Sequence, residues 1–406
     1  MLGMVSRAIV TLRIFATTLG LLGLKCESCA LKSCKSCGVS FMESNKRTNF
    51  SSSKRILSEA FSLALLDLDG VVYRGGNAVE YASEAISNAQ NHGMFIEYTT
   101  NNSSRFQSIV AKQLESFGLK VEPWQIITSS VVAARMVARH VQKGSKVLVL
   151  GAEHLRQEVQ RVGLELVDSC EDNPKAVIQG WYPQMTWQEM AEVSFAVEHG
   201  AKYFVTNRDL TIPRELGIAP GCGSMIQAVI NATGVEPIAS AGKPESAMYD
   251  EARFLVASNA KHDDAEYAKY TEKDESGNPV ISVENSLAVG DRLDTDIEAG
   301  TRGGYDSLLV LTGVTDPRML MLAPKHLRPS FVSKDLRGLN ESHNAPERVD
   351  DTTFTCEDAV ARVVDNTIEV NNTNDCNALR AACALTWSLQ DSGKALEDYI
   401  LPEFSL

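Results

Sequence analysis

The chain has 406 residues, 44% hydrophobic and 22% charged, values that fit two or three globular domains and exclude a collagenous or wholly disordered protein. No apolar run reaches the length of a membrane span, so a multi-pass membrane protein is excluded as well. The formal charge of −13 is uneven: residues 1–55 hold nine Lys/Arg against two Glu, and the remainder holds 30 basic against 50 acidic residues. So acidic a body repels a polyphosphate, which leaves no nucleic acid among the expected partners. Small anionic substrates stay compatible with it, because a metal ion inverts the local field.

The basic stretch 1–55 reads as a tail without structure. Its apolar run Ile14–Leu24 follows Arg7 and Arg13, as in a targeting peptide. Thr17 and Thr18 interrupt the run, no A-x-A cleavage site follows, and Met42 offers a later start. The expectation is therefore an uncleaved tail on a cytoplasmic protein. Cys26-Glu-Ser-Cys29 and Cys34-Lys-Ser-Cys37 form two C-x-x-C pairs, but structural zinc sites usually separate their pairs by more chain. The other cysteines are scattered, as in a reducing compartment.

From Leu63 the pattern becomes regular. Ser62–Asp67 is a near-continuously apolar strand, Tyr81–Asn91 a helix, Met94–Thr100 a strand, and Phe106–Phe117 and Ser130–Val141 are helices. A second set follows, with strands at Val147–Leu150, Ala176–Gln179 and Tyr203–Thr206. Its helices are Glu153–Val162, Thr186–Glu198 and the later part of Gly221–Thr233. A strand–turn–helix unit covers Ala241–Leu255, residues 258–284 read as a solvated polar insertion, and Asn285–Gly290 is again a buried strand. Ser307–Leu311 is expected as the last core strand. Residues 336–406 read as an extension ending in an amphipathic helix, Ala378–Ser388. Strands alternating with helices predict an α/β fold, a Rossmann-like doubly wound parallel sheet.

Four polar clusters stand at strand ends. Asp67-Leu-Asp-Gly70 closes the first strand, and side chains two apart on a strand face the same way. Thr100-Asn-Asn-Ser-Ser-Arg105 offers a hydroxyl and backbone N–H groups at a helix entry. Gly242-Lys243-Pro244 puts a lysine at the mouth of a helix, with Pro at its first position. Gly290-Asp291-Arg-Leu-Asp-Thr-Asp296 follows another buried strand, and Thr295 and Glu298 have capping-box spacing. Taken singly, each is an ordinary turn or cap.

Their joint order is similar to that of the haloacid dehalogenase-like phosphohydrolases, in the branch of NagD, 4-nitrophenylphosphatase and phosphoglycolate phosphatase. Leu66-Asp-Leu-Asp-Gly-Val-Val-Tyr73, Thr100-Asn-Asn-Ser-Ser104, Thr206-Asn-Arg-Asp209, Pro220-Gly-Cys-Gly-Ser224, Gly242-Lys-Pro244 and Gly290-Asp-Arg-Leu-Asp-Thr-Asp-Ile297 all fit over roughly residues 60–330. The resemblance implies a Mg2+-dependent phosphatase of small phosphomonoesters such as phosphoglycolate, glycerol phosphate or p-nitrophenyl phosphate. A catalytically silent binding protein and a phosphotransferase of the same fold are the alternatives.

The resemblance also distributes roles. Asp67 is the nucleophile, and Asp69 protonates the leaving oxygen and activates water. Thr100 holds transferring oxygens and Lys243 offsets charge. The metal falls to Asp67, Asp291 and the backbone carbonyl of Asp69, with Asp296 orienting its surroundings. Gly70, Asn101, Asn102, Asn207, Arg208, Thr211 and Ile212 line the substrate, the last three within a specificity loop at Arg208–Pro213. Only 33 positions separate Asp67 from Thr100, whereas 143 separate Thr100 from Lys243. An inserted α/β cap is therefore expected at 143–236, between core segments 56–142 and 237–335. The cap surface leaves room for a homodimer, as in some relatives.

Overall fold

Five-residue runs with no polar interruption are stable as strands only where helices cover both sheet faces. The computed structural model, whose described residues are 49–214, 216–259, 271–273, 277 and 279–406, meets that condition. Six parallel strands lie in the order Phe331–Ser333, Asp306–Val310, Ser286–Gly290, Leu63–Asp67, Phe95–Thr100 and Ile126–Thr128. Helices Ala82–Asn91 and Gln107–Ser116 pack one face through Ile86, Val110 and Leu114. Helices Ser129–His140, Ala247–Asn259 and Glu298–Gly303 cover the other through Val132, Met248 and Ala299. The sheet extends one strand past the expected last one. Phe331–Ser333 is three residues long, too short to announce itself by pattern.

The second sheet has the order Ala239–Ser240, Lys202–Val205, Ala176–Gln179, Lys146–Leu150 and Glu165–Val167, all parallel. Its edge strand Ala239–Ser240 lies beyond the cap end expected at 236. Helix Ser129–His140, expected within the core, has residues in the same apolar cluster as Leu63 and Leu65 of the first sheet and Val147, Ala176 and Ile178 of the second.

Three further expectations are corrected. Residues 49–55 do not belong to the tail: the Phe50 ring lies 4.7 Å from that of Trp387, and Ser53 and His343 exchange backbone hydrogen bonds. The rest of the tail, with its C-x-x-C pairs, lies outside the described residues. The insertion at 258–284 is not wholly solvated. Thr271–Lys273 pairs antiparallel with Pro279–Ile281, and Val280 and Ile281 are buried; residues 260–270 lie outside the described part. Finally, 336–406 is a packed layer rather than a free extension. Four antiparallel strands between Glu347 and Val370 lie against helix Cys376–Asp391, which is buried on nearly all sides. Its four buried alanines at 378, 381, 382 and 384 let the sheet approach closely, while Leu379 and Trp387 join a cluster with Leu293, Ile297 and Val332 of the core. Arg328, fully buried, pins the helix end through Asp391 and Gln390. No helix among the described residues is long and apolar enough to cross a membrane.

One core residue breaks the apolar rule. Glu97, central in Phe95–Thr100, is fully buried, and neither carboxylate oxygen has a protein hydrogen-bond partner. Burial pushes its carboxyl well above the usual range. A carboxyl raised on folding keeps its proton in the native state, so its contribution is intact below the unfolded pKa of about 4.3 and erodes as pH rises toward the folded value. Glu97→Gln keeps the shape and removes the ionisation. The melting temperature of this variant should exceed that of the wild type by a margin that grows from pH 5 to pH 8. A constant margin would show that folding does not raise the Glu97 carboxyl.

Candidate active site

Asp67 ends the central strand, with Thr99 opposite it on one side; Asp291 follows Gly290 at the end of the strand on the other. The register thus delivers Asp67, Thr100 and Asp291 to one edge of the sheet, the carboxyl edge at which open α/β sheets bind ligands. Oxygens of Asp67, Asp291 and Asp296 lie within 4.8 Å of one another. The Lys243 ammonium, 2% exposed, is ion-paired with Asp67 and lies 2.7 Å from Asp296.

Burial raises the Asp67 carboxyl well above its usual range against the pull of Lys243, with Asp296 and Asp291 raising it further. Burial likewise pushes Asp291 up to about 6, with Asp296 adding to the effect. Burial works to lower the Lys243 ammonium, but Asp296 and Asp67 outweigh it and hold it well above its usual range. Three carboxylates around one ammonium leave a net negative cluster. Each like-charge pair near 4 Å costs about 4 kcal/mol at an effective dielectric of 20. Asp291 Oδ2 accepts from Val314 N at 2.6 Å, while its buried Oδ1 has no protein hydrogen-bond partner. A hard divalent cation fits that donor set. The expected supporting place for Asp296 is not required by distance, since its oxygen belongs to the same group as those of Asp67 and Asp291.

The other expected residues divide into groups. The Asp69 side chain is exposed at the turn after the strand and stands outside the three-carboxylate group. Burial among its surroundings still raises its carboxyl, opposed by Arg105 and Lys243. Gly70, at φ +85, passes flush against Asp291. The buried Thr100 hydroxyl accepts from Asn102 N at 3.1 Å, and Asn102 in turn accepts from Ser104. Asn101 is engaged at every polar side-chain atom by Lys243 and Asp209, and Asn207 donates to the Asn101 carbonyl at 2.9 Å. Arg208 turns to Glu236 on the exposed surface, an ion pair of small energetic weight. Thr211 and Ile212 form a hairpin strand, Thr211–Arg214, paired with Gly217–Pro220.

Two local readings differ from expectation. The helix after Lys243 begins at Ala247, so the lysine sits in a preceding turn rather than at its first residues. Leu293–Ile297 forms a π-helical turn without a Thr295 cap; Asp296 Oδ2 accepts from Arg292 N at 3.1 Å instead.

Several residues with no role assigned from the sequence also stand at the site. Arg105 donates to Gln113 and Tyr73 beside Asp69. Tyr249 lies buried beside Lys243 and Asp296. The loop Thr312–Val314 wraps Asp291, with Thr312 donating to the Gly70 carbonyl at 2.7 Å. Its signal, a glycine just after the Asp306–Val310 strand, resembles that of Gly290-Asp291.

A haloacid dehalogenase-like hydrolase model matches residues 64–165, and an HAD-hydrolase-like model matches 240–339. The chain belongs to the haloacid dehalogenase-like hydrolases, in their NagD-like branch. The D-glycerol 3-phosphate phosphatase of Mycobacterium tuberculosis is 35% identical over 285 residues, covering 70% of this chain and 72% of that protein. A Bacillus subtilis 5'-nucleotidase, YutF, is 34% identical over 62% of this chain and 87% of its own length. Among solved structures, a mycobacterial glycerol phosphate phosphatase in complex with magnesium superposes with a TM-score of 0.70 at 30% identity, covering 86% of this chain and 96% of its own. The p-nitrophenyl phosphatase of Archaeoglobus fulgidus gives 0.59 at 28% identity and is itself 98% covered, yet it accounts for only 69% of this chain. About a third of the present chain therefore has no counterpart in the archaeal enzyme.

A Cβ at Gly313 would overlap the Asp291 carboxylate. Gly313→Ala should displace that carboxylate and raise the magnesium concentration for half-maximal thermal stabilisation by about tenfold or more. An unchanged midpoint in a thermal-shift titration would show that Asp291 does not govern cation binding.

Proposed function

We propose that the protein is a magnesium-dependent phosphatase of small phosphomonoesters, with glycerol phosphate and related polyol phosphates as the favoured substrates. The single observation behind this reading is the buried Asp67–Asp291–Asp296 group held around the Lys243 ammonium. The activities named for the mycobacterial, bacillary and archaeal relatives support it.

Magnesium, when bound, would supply the positive charge that lets a phosphate dianion approach a carboxylate; Asp67, Asp291 and Asp296, with the Asp69 carbonyl, would hold it. Asp67 attacks phosphorus as the bond to the leaving oxygen breaks, and the phosphoryl group passes to the Asp67 carboxylate. Asp69 donates a proton to the departing oxygen. Its carboxyl, exposed at the turn yet raised by partial desolvation against the pull of Arg105 and Lys243, suits a group that must hold a proton and later take one from water. The Thr100 hydroxyl and the backbone after it hold the transferring oxygens, and Lys243 balances the charge on the esterified Asp67. Intact groups at all four positions speak against a silent binding module. A water-facing Asp69 that can deprotonate the second nucleophile favours hydrolysis over transfer to an alcohol.

The described cysteines, Cys170, Cys222, Cys356, Cys376 and Cys383, are unpaired, which supports a cytoplasmic setting. Trp187, Leu216 and Ile218 are exposed on the cap and support a homodimer through that surface.

Release of phosphate from p-nitrophenyl phosphate and glycerol phosphate should require magnesium. Asp67→Asn should lower kcat by roughly three orders of magnitude or more, the scale for loss of a nucleophile. Metal-dependent turnover that survives the substitution would sink the assignment.

A further inference from the structure

The expected substrate contact Asn101 has no polar side-chain atom left for a substrate. Its Oδ1 accepts from the Lys243 backbone N–H at 2.8 Å. Its Nδ2 donates to the Lys243 carbonyl at 3.0 Å and to the two oxygens of Asp209 at 3.1 and 3.3 Å. Only one orientation of the amide satisfies all these partners, because the lysine N–H needs an acceptor while the carbonyl and carboxylate need donors. Asn101 belongs to the core sheet edge, just past Thr100. Asp209 belongs to the cap, in the loop after the Lys202–Val205 strand.

The cap side of this contact is itself fixed. Asp209 N–H donates to Asn207 Oδ1 at 3.2 Å, the Asp209 carbonyl accepts from Gly223 N at 2.8 Å, and Asn207 Nδ2 donates to the Asn101 carbonyl at 2.9 Å. The lysine side is equally tight. A Cβ at Gly242 would overlap Asn101 Oδ1 and the Thr206 carbonyl, so the backbone leading into Lys243 is pressed against both domains. Beyond this clamp, the Lys243 ammonium stands between Asp67 and Asp296. Hydrogen bonds thus link the cap to the Lys243 backbone, from which the side chain carries the ammonium to Asp67 and Asp296.

We infer that Asp209 is a positioning residue: by orienting the Asn101 amide, it makes the placement of Lys243 against Asp67 depend on the cap loop. Substrate need not touch Asp209 for it to matter. A lysine displaced from its carboxylates loses the alignment on which the reacting groups depend.

The kinetic arm of the test rests on the phosphatase reading; the exchange arm does not. Asp209→Ala should lower kcat for p-nitrophenyl phosphate about tenfold or more while KM changes less than about threefold. Asp209→Asn, whose amide oxygen still accepts from Asn101, should recover kcat to within about threefold of the wild type. Hydrogen exchange of the full-length protein supplies the second readout. The Lys243 amide, in a peptide spanning residues 240–247, should exchange about tenfold faster in Asp209→Ala and at the wild-type rate in Asp209→Asn. Asp209→Ser, too short to reach Asn101, serves the same reading if the alanine variant does not fold.

Unchanged exchange at Lys243, equal loosening of the Leu63–Asp67 strand, or an asparagine variant as impaired as the alanine one would overturn the inference. A rise in KM alone would overturn it too, by making Asp209 a substrate contact. A wild-type protein that hydrolyses no phosphate ester would defeat the phosphatase reading, while the exchange result would still decide the role of Asp209.

Discussion

The Lys243 ammonium, buried between Asp67 and Asp296 with Asp291 in the same group, is the interaction on which the rest of the site depends. Without it, three carboxylates at a sheet edge would repel one another or bind protons. With it, the cluster retains a net negative charge and an Asp291 oxygen that no protein donor reaches. That combination suits a divalent cation and, through it, a phosphate. The sheet enforces the arrangement, because Asp67 and Asp291 stand at the ends of neighbouring parallel strands in fixed register.

The position of the lysine ties the two domains together. Its backbone is held by core Asn101, whose amide is in turn held by cap Asp209, and the residues before it run from the cap edge strand Ala239–Ser240. A large cap beside the cleft favours small substrates over macromolecules. The C-terminal layer meets the site from below. Leu293 and Ile297, which flank the turn bearing Asp296, belong to the same apolar cluster as Leu379 and Trp387. Residues that read as an extension thus help to support a carboxylate of the metal group.

Much of this was legible before any coordinates. Leu63–Asp67 and Ser286–Gly290 are largely apolar runs whose burial on both faces leaves little choice of architecture. The residues that end them are polar for chemical reasons, so Asp67 and Asp291 stand out against the pattern. Phe331–Ser333 was invisible because three residues have no measurable period. The helix at 376–391 reads as amphipathic because its alanines look neutral in sequence; in the fold they are contact residues between two layers. Asn101 and Asp209 lie in readable motifs, yet their partnership joins residues 108 positions apart through the cap, and no local pattern records such a contact. Glu97 shows the opposite failure, since a carboxylate amid an apolar strand looks like a solvated position and is in fact sealed in the core.

The account's central claim is that the Asp67 carboxylate receives the phosphoryl group. Acid quenching during turnover of p-nitrophenyl phosphate, followed by borohydride reduction and peptide mass analysis, tests it most directly. Reduction converts an acyl phosphate at Asp67 to homoserine, and the account predicts that change at this position alone and only in samples quenched with substrate and magnesium present. Homoserine at another aspartate, or none at all under conditions of rapid turnover, would contradict it.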